Sequence, residues 1–224
     1  MKKNYSFISC IPVLLAMFLS SHSDAQLAFR RGSLVVGISE GWTQSHYTTR
    51  DISSSQPGKT MEVNMRGCRD PLFFEYGIAN RWSIGSSFGN DVFYLNPSKF
   101  YGVRSSEDKM KVKTNEVNFE VAYHVLVNKR LDLALFHSFG MNSITIDQTV
   151  GDVSYKYTAN GTIVRVGARA RYYFWKRFGA LGMISNYTGT CSPKDVKGNT
   201  FGNNYSTNIR GFAVEMGLCY RLIH

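Results

Sequence analysis

Apolar and polar residues alternate with a period of two in eight stretches of this chain. Successive side chains of an extended strand point to opposite faces, so each stretch is expected to be a β-strand with one apolar face. The last is the most regular: Phe212, Val214, Met216, Leu218, Tyr220 and Leu222 alternate with Ala213, Glu215, Gly217, Cys219 and Arg221. The fourth sets Val117, Phe119, Val121, Tyr123 and Val125 against Glu116, Asn118, Glu120, Ala122 and His124. The fifth opposes Leu131, Leu133, Leu135, Phe139 and Met141 to Asp132, Ala134, Ser138, Gly140 and Asn142. In the sixth, Val164, Val166, Ala168, Ala170, Tyr172 and Phe174 oppose Arg165, Gly167, Arg169, Arg171 and Tyr173. The second (Leu72 to Ile78, with Glu75 on its polar face) and the third (Trp82 to Tyr94, with Asp91) are shorter or noisier. In the first, Leu34, Val36 and Ile38 form a face that Glu40 breaks. The seventh, Phe178 to Gly189, is the least regular: Leu181 and Met183 suggest one apolar face and Ile184 the other.

The connections alternate in length. Residues 79–81, 127–130 and 175–177 are tight turns, whereas 43–70, 96–113, 147–161 and 190–207 read as long polar loops. Short turns on one rim and long loops on the other predict an eight-stranded antiparallel transmembrane up-and-down β-barrel with both chain ends on the short-turn side. The polar face mixes glycines with full charges, as a narrow lumen requires, while bulky Leu, Val, Phe and Tyr occupy the face expected to meet lipid. A soluble barrel such as a lipocalin would carry the opposite polarity. Trp82, Trp175, Phe178 and Tyr220 near the short turns, with Trp42, Tyr94 and Tyr187 near the long loops, would form two interfacial girdles.

The N-terminus reads as an export signal. Lys2 and Lys3 precede an apolar run from Phe7 to Leu19, and Ser23 and Ala25 supply the small residues for cleavage before Gln26. The run is too short for a membrane-spanning helix, which needs about 20 residues. The expected division is therefore a signal peptide over 1–25 and a barrel over 26–224. A formal net charge of +10 suits anionic lipid headgroups or surface polysaccharide, because an exported chain does not ordinarily meet nucleic acid. No Cys/His spacing resembles a metal site, and no cofactor is expected. Cys10 would leave with the signal, so Cys68, Cys191 and Cys219 remain. Cys68 and Cys191 fall in the first and fourth outer loops, whose strands meet at barrel closure. They are the pair expected to bridge if a disulfide forms, two independent thiols being the alternative.

Near the C-terminus, Glu215-x-Gly217-x-x-Tyr220-x-Leu222 resembles the terminal β-signal read by the barrel-assembly machinery, although the chain ends in His224 and not in Phe or Trp. With the strand pattern, residues 33–222 resemble the small outer-membrane β-barrel family, which includes the barrel of outer membrane protein A and outer membrane protein X. The resemblance implies an integral protein of the bacterial outer membrane whose partners are membrane lipid, lipopolysaccharide and the assembly machinery. A surface protein or polysaccharide would be a further partner.

Charged residues on the polar face are the first functional candidates: Glu75, Asp91, Glu116, Glu120, Asp132, Glu215, Arg165, Arg169, Arg171 and Arg221, with His124 beside them. Glu116 and Glu120 share the four-residue spacing of Arg165 and Arg169 on strands running the same way. That predicts ion pairs that plug the lumen; a conducting path or proton relay is the rival reading. Lys99, Arg104, Lys109, Lys111 and Lys113 make the second outer loop basic and suit it to lipopolysaccharide phosphates. Catalysis is not expected. A lipid A-modifying enzyme would need a set such as His137 with Ser138 or Ser143, or His46 with Asp51 and Ser45, and adjacent strand residues face opposite ways. The expected role is structural or in surface interaction and adhesion. A lipid A-modifying enzyme, a narrow channel and an accessory barrel of a secretion complex are the alternatives.

Overall fold

The computed structural model describes residues 28–51, 60–95, 109–150, 153–197 and 205–223; the expected signal peptide lies outside the described residues. The strands are β1 (Leu34–Asp51), β2 (Thr60–Arg69), β3 (Leu72–Gly77), β4 (Trp82–Leu95), β5 (Lys109–Val127), β6 (Leu131–Val150), β7 (Val153–Tyr173), β8 (Phe178–Lys197) and β9 (Tyr205–Ile223). From β3 onward each strand pairs antiparallel with the next, and β9 returns to β1 and closes the ring. β2 and β3 lie end to end between β1 and β4, separated by Asp70 and Pro71. Together they form one barrel strand, interrupted where Pro71 has no N–H to give. The flanking ladder persists: Ser39 N–H donates to the Pro71 carbonyl (3.0 Å) and Asp70 N–H to the Asn90 carbonyl (3.0 Å). The barrel therefore has eight strands.

Cross-strand partners followed once around the ring lead from Ile38 through Leu72, Phe88, Val117, Met141, Thr162, Thr190 and Asn208 back to β1 at Thr48, ten residues from the start. That stagger tilts the strands and leaves a bore narrow enough for side chains to fill. Gly41 and Gly217 sit at the closing seam. A Cβ on Gly41 would meet the Val214 carbonyl, and one on Gly217 the Ile38 carbonyl, so only glycine lets β1 and β9 approach this closely.

Crossing a bilayer takes a tilted strand of about 9–11 residues, and β5 to β9 run 19–21. The barrel accordingly has two halves of opposite polarity. On the short-turn half, Ile38, Phe74, Phe119, Phe139, Val166, Ile184 and Met216 face outward and are exposed, while charged side chains face in. A belt this large and apolar suits acyl chains. In the other half the phase reverses. Tyr47, Met65, Phe93, Val112, Ile144, Ile163, Tyr187 and Ile209 pack together inside, and Asn64, Asn160, Thr188 and Asn208 are exposed outside.

This reversal corrects the sequence reading at three points. Of the loops expected over 43–70, 96–113, 147–161 and 190–207, residues 43–51, 60–69, 109–113, 147–150, 153–161, 190–197 and 205–207 are strand, because their apolar residues switch to the inward-facing parity and so interrupt a single-phase pattern. The lumen is not polar throughout; it is ionic in the membrane half and apolar beyond it. In β8, Leu181 points inward and Ile184 outward, which resolves the irregular seventh stretch. Glu40 lies exposed on the outer face beside Met216, next to the Pro71 interruption, a polar notch in the belt.

Candidate functional site

The inward-facing side of the membrane half holds every buried charge among the described residues. They are six carboxylates (Glu75, Asp91, Glu116, Glu120, Asp132, Glu215), five arginines (Arg69, Arg165, Arg169, Arg171, Arg221) and His124. Strand alternation places them there, and exclusion of water obliges them to pair. Arg69 is the hub of the upper layer. Its Nη1 donates to Asp91 (2.9 Å), Nη2 to Glu116 (3.2 Å) and Nε to Glu215 (3.0 Å), tying three strands across the bore. Arg165 reaches over β6 to grip Glu116 with two bonds, Nε at 2.8 Å and Nη2 at 2.5 Å. Ser39 Oγ donates to Glu215 (3.0 Å) and Thr114 Oγ1 to Asp91 (3.1 Å), occupying further carboxylate oxygens.

The lower layer is built around Glu75. Arg169 Nη1 donates to it at 2.6 Å while Arg169 Nη2 meets both oxygens of Glu120 (2.7 and 2.8 Å). Arg171 also donates to Glu75 and lies 3.4 Å from Asp132. Arg221 stacks its guanidinium over Tyr173, 4.3 Å from the ring centre. The four-residue spacing noted in the sequence thus places Arg165 on Glu116 and Arg169 on Glu120. Arg69 was missed because its strand was read as loop. The phase of Met65 and Val63, which are buried beside it along β2, is the signal that marks it as inward-facing.

His124 sits between carboxylates, with Nδ1 2.6 Å from Asp132 and Nε2 3.0 Å from Glu75. A ring with an acceptor at each nitrogen satisfies both only when both nitrogens carry protons. With both nitrogens protonated, His124 would match the six carboxylates together with the five arginines. Ser83 Oγ lies 3.1 Å from His124 Nε2, so Ser83, His124 and Asp132 have the order of a nucleophile, base and orienting acid. The chemistry does not follow. Ser83 donates to Glu75 (2.8 Å), His124 is wholly buried, and Phe29 stacks on its ring at 3.6 Å between centroids. The Ser83 proton is directed at Glu75 and not at His124, and the three side chains are closed off from solvent, so they are not placed to attack a substrate.

Both mouths of the ionic layer are covered. Below, residues 28–33 fold under the bore: Ala28 N–H donates to the Asn128 carbonyl (2.6 Å), and Ala28 and Phe29 are buried with Val35, Phe73 and Tyr173 nearby. Above lies the apolar cluster of the outer half. Between them is a cavity of about 20 Å³ bounded by Ser138, Arg165, Arg169 and Glu215, about the size of one water.

The remaining candidates are dispersed. Cys68 faces outward on β2 and Cys191 faces inward, buried, its thiol donating to Asn142 (3.1 Å); all three described cysteines are free. Of the two readings open for Cys68 and Cys191, the structure has independent thiols and no bridge: the two side chains lie on opposite faces of the barrel wall. A water-soluble maleimide is expected to label Cys68 on the folded protein, and Cys191 and Cys219 only after unfolding, as mass spectrometry of the labelled chain would show. Lys99 and Arg104 lie outside the described residues. Lys109, Lys111 and Lys113 belong to β5, and Lys113 is 4.0 Å from Asp147. His137 is exposed outside and Ser138 buried inside, while Ser143 is six residues along the strand. Ser45 points inward to Tyr187, His46 points outward with Nδ1 2.9 Å from Asn64, and the Asp51 side chain lies outside the described residues. Of the terminal signal residues in β9, Glu215 joins the ionic layer, Gly217 lies at the seam, and Tyr220 and Leu222 join the outer belt.

No family model matches the chain, and no curated protein matches it. Solved structures do. OprG, an outer membrane protein from Pseudomonas aeruginosa, aligns over 86% of this chain and 97% of its own at 12% identity and a TM-score of 0.52. The outer membrane protein AlkL, solved in lipid bilayers, aligns over 100% and 98% at 12% identity and 0.52. A major outer membrane protein from Thermus thermophilus aligns over 82% and 99% at 12% identity and 0.51. At these identities the likeness is one of fold: this chain has the architecture of the small outer-membrane β-barrels.

Proposed function

We propose that this barrel is an integral protein of the bacterial outer membrane that works as a non-conducting platform. The membrane half anchors it, and the outer half carries its four outer connections above the lipid for structural or surface-interaction duties. The observation that carries the reading is the inversion of polarity along the strands. A channel needs a wet bore through its full length, whereas here a layer of paired ionic side chains is followed by an apolar core. An apolar core outside the bilayer makes the projecting half rigid in the way a soluble barrel is rigid. On its outer wall a groove of about 360 Å³ runs across β8, β9, β1 and β2. His46 and Arg210 meet there as cross-strand partners above Trp42 and Phe212. Arg210, with Lys111 and Lys113 on another side, favours anionic surface polymers or lipopolysaccharide phosphates as the contacts made there.

Two measurements test this reading. Purified protein in planar bilayers is expected to give no steady conductance; stable, reproducible channel steps would refute the platform and favour a pore. Replacing Arg210, Lys111 and Lys113 together by glutamine should weaken binding to isolated lipopolysaccharide or to cell-surface polysaccharide without lowering the unfolding midpoint. Binding undiminished in that variant would remove the anionic surface contact.

A further inference from the structure

The short-turn rim carries seven exposed cations, Arg30, Arg31, Arg81, Lys129, Arg130, Lys176 and Arg177, and among the described residues it carries no exposed carboxylate. The nearest acids, Glu75 and Asp132, are buried in the bore and already bound. The placement repeats. In each of the three short turns the residue before or at the start of the next strand is an arginine whose carbonyl accepts a backbone bond from a strand further on. Arg81 accepts from His124 (2.8 Å), Arg130 from Tyr173 (2.8 Å) and Arg177 from Arg221 (2.7 Å). The same structural position is thus filled by the same side chain three times. Arg30 and Arg31 add two charges beside the first turn, where Arg31 N–H reaches Asn80 Oδ1 (3.4 Å).

Aromatic side chains stand next to these cations on the outer wall. Trp82, Trp175 and Tyr172 are about half exposed, and Arg81 Nη1 lies 3.3 Å from the Tyr123 hydroxyl. Rings at the edge of the acyl region, with long cationic side chains extending beyond them, are placed for the level of lipid headgroups. We propose that this rim is a binding ring for anionic phospholipids of the leaflet on the short-turn side, its guanidinium and ammonium groups holding their phosphates. The inference rests on the membrane reading above. The distribution selects the occupant: the turns fall at three of the four alternate gaps around the ring, so the charge is spread along most of the rim and not gathered on one side. An annulus of lipid meets all of it, while one docked protein would meet a single side. Each cation near an anionic surface contributes about 1 kcal/mol, equivalent to about fivefold in binding.

The test uses the full chain inserted into phosphatidylcholine vesicles carrying either brominated phosphatidylglycerol or brominated phosphatidylcholine. Bromine quenches tryptophan at short range, and a Trp42→Phe variant confines the signal to Trp82 and Trp175 at the rim. The expected result is an apparent affinity for phosphatidylglycerol about three- to tenfold above that for phosphatidylcholine. The preference should fall toward unity in high salt and in an Arg81→Gln, Arg130→Gln, Arg177→Gln variant, and survive when the three become lysine. Equal quenching by the two lipids would overturn the proposal, as would a preference that persists in both salt and the glutamine variant. Equal quenching with salt-sensitive binding of polyglutamate would overturn it in favour of an acidic polymer. If the glutamine variant does not fold, the salt arm on the parent protein decides. Failure to insert into either vesicle, read as loss of the heat-dependent gel shift of a folded barrel, would instead count against the membrane reading.

Discussion

Arg69→Met is expected to lower the unfolding free energy by about 3–5 kcal/mol, the range for removing one partner from a buried ion network. Methionine retains much of the stem but none of the five donors. Three carboxylates from three strands lose a partner at once: Asp91, Glu116 and Glu215. They are not equally stranded. Glu116 keeps the two bonds from Arg165, whereas Glu215 is left with the hydroxyl of Ser39. Adding Glu215→Gln should therefore recover part of the loss, since it removes the least supported charge. Urea titration of the lipid-inserted protein, followed by the gel shift between folded and unfolded forms, measures both effects. Lys113→Met is the control: its pair with Asp147 is about two-fifths exposed and 4.0 Å long, so a change below about 1 kcal/mol is expected there. A loss at Arg69 no larger than at Lys113 would show that the ionic layer does not hold the strands together.

The second large effect separates the two halves of the outer wall. Phe139→Arg, on the lipid face of β6 where the side chain is 57% exposed, is expected to cost about 2–4 kcal/mol. The guanidinium must be desolvated or drag water and headgroups toward it. Asn160→Arg on β7, also outward but in the projecting half, should stay within about 0.5 kcal/mol because its surroundings are aqueous. The contrast matters more than either value, since an arginine is introduced on the same barrel face on both sides of the belt's upper edge. Equal costs at the two positions would mean that the belt does not face hydrocarbon. Glu40, inside that belt, makes the converse point, and Glu40→Leu should raise stability in lipid.

The strands of the membrane half were readable because alternation is a local property: one residue in, one residue out, with a lipid-facing side that tolerates bulk. Hence β3, β5, β6, β7 and β9 were located from their apolar faces alone, and the pairs Glu116–Arg165 and Glu120–Arg169 were anticipated from matched spacing on strands of equal direction. What the pattern could not supply was the solvent outside each segment. Val112, Ile144, Ile146 and Ile209 obey the same alternation with the opposite phase. Without the third dimension, a phase change reads as the end of a strand. The extended hairpins and the inward-facing Arg69 were both lost to that one ambiguity.

The sequence by itself determined that this chain makes eight amphipathic strands joined by alternately short and long connections, because side-chain parity and turn chemistry act over a few residues. Only the tertiary structure decided which parity faces inward at each height, how the buried charges pair, and that Phe29 closes over His124. Those outcomes depend on barrel closure and stagger, which bring together residues as distant in the chain as Arg69 and Glu215 and set the level at which the wall leaves the lipid.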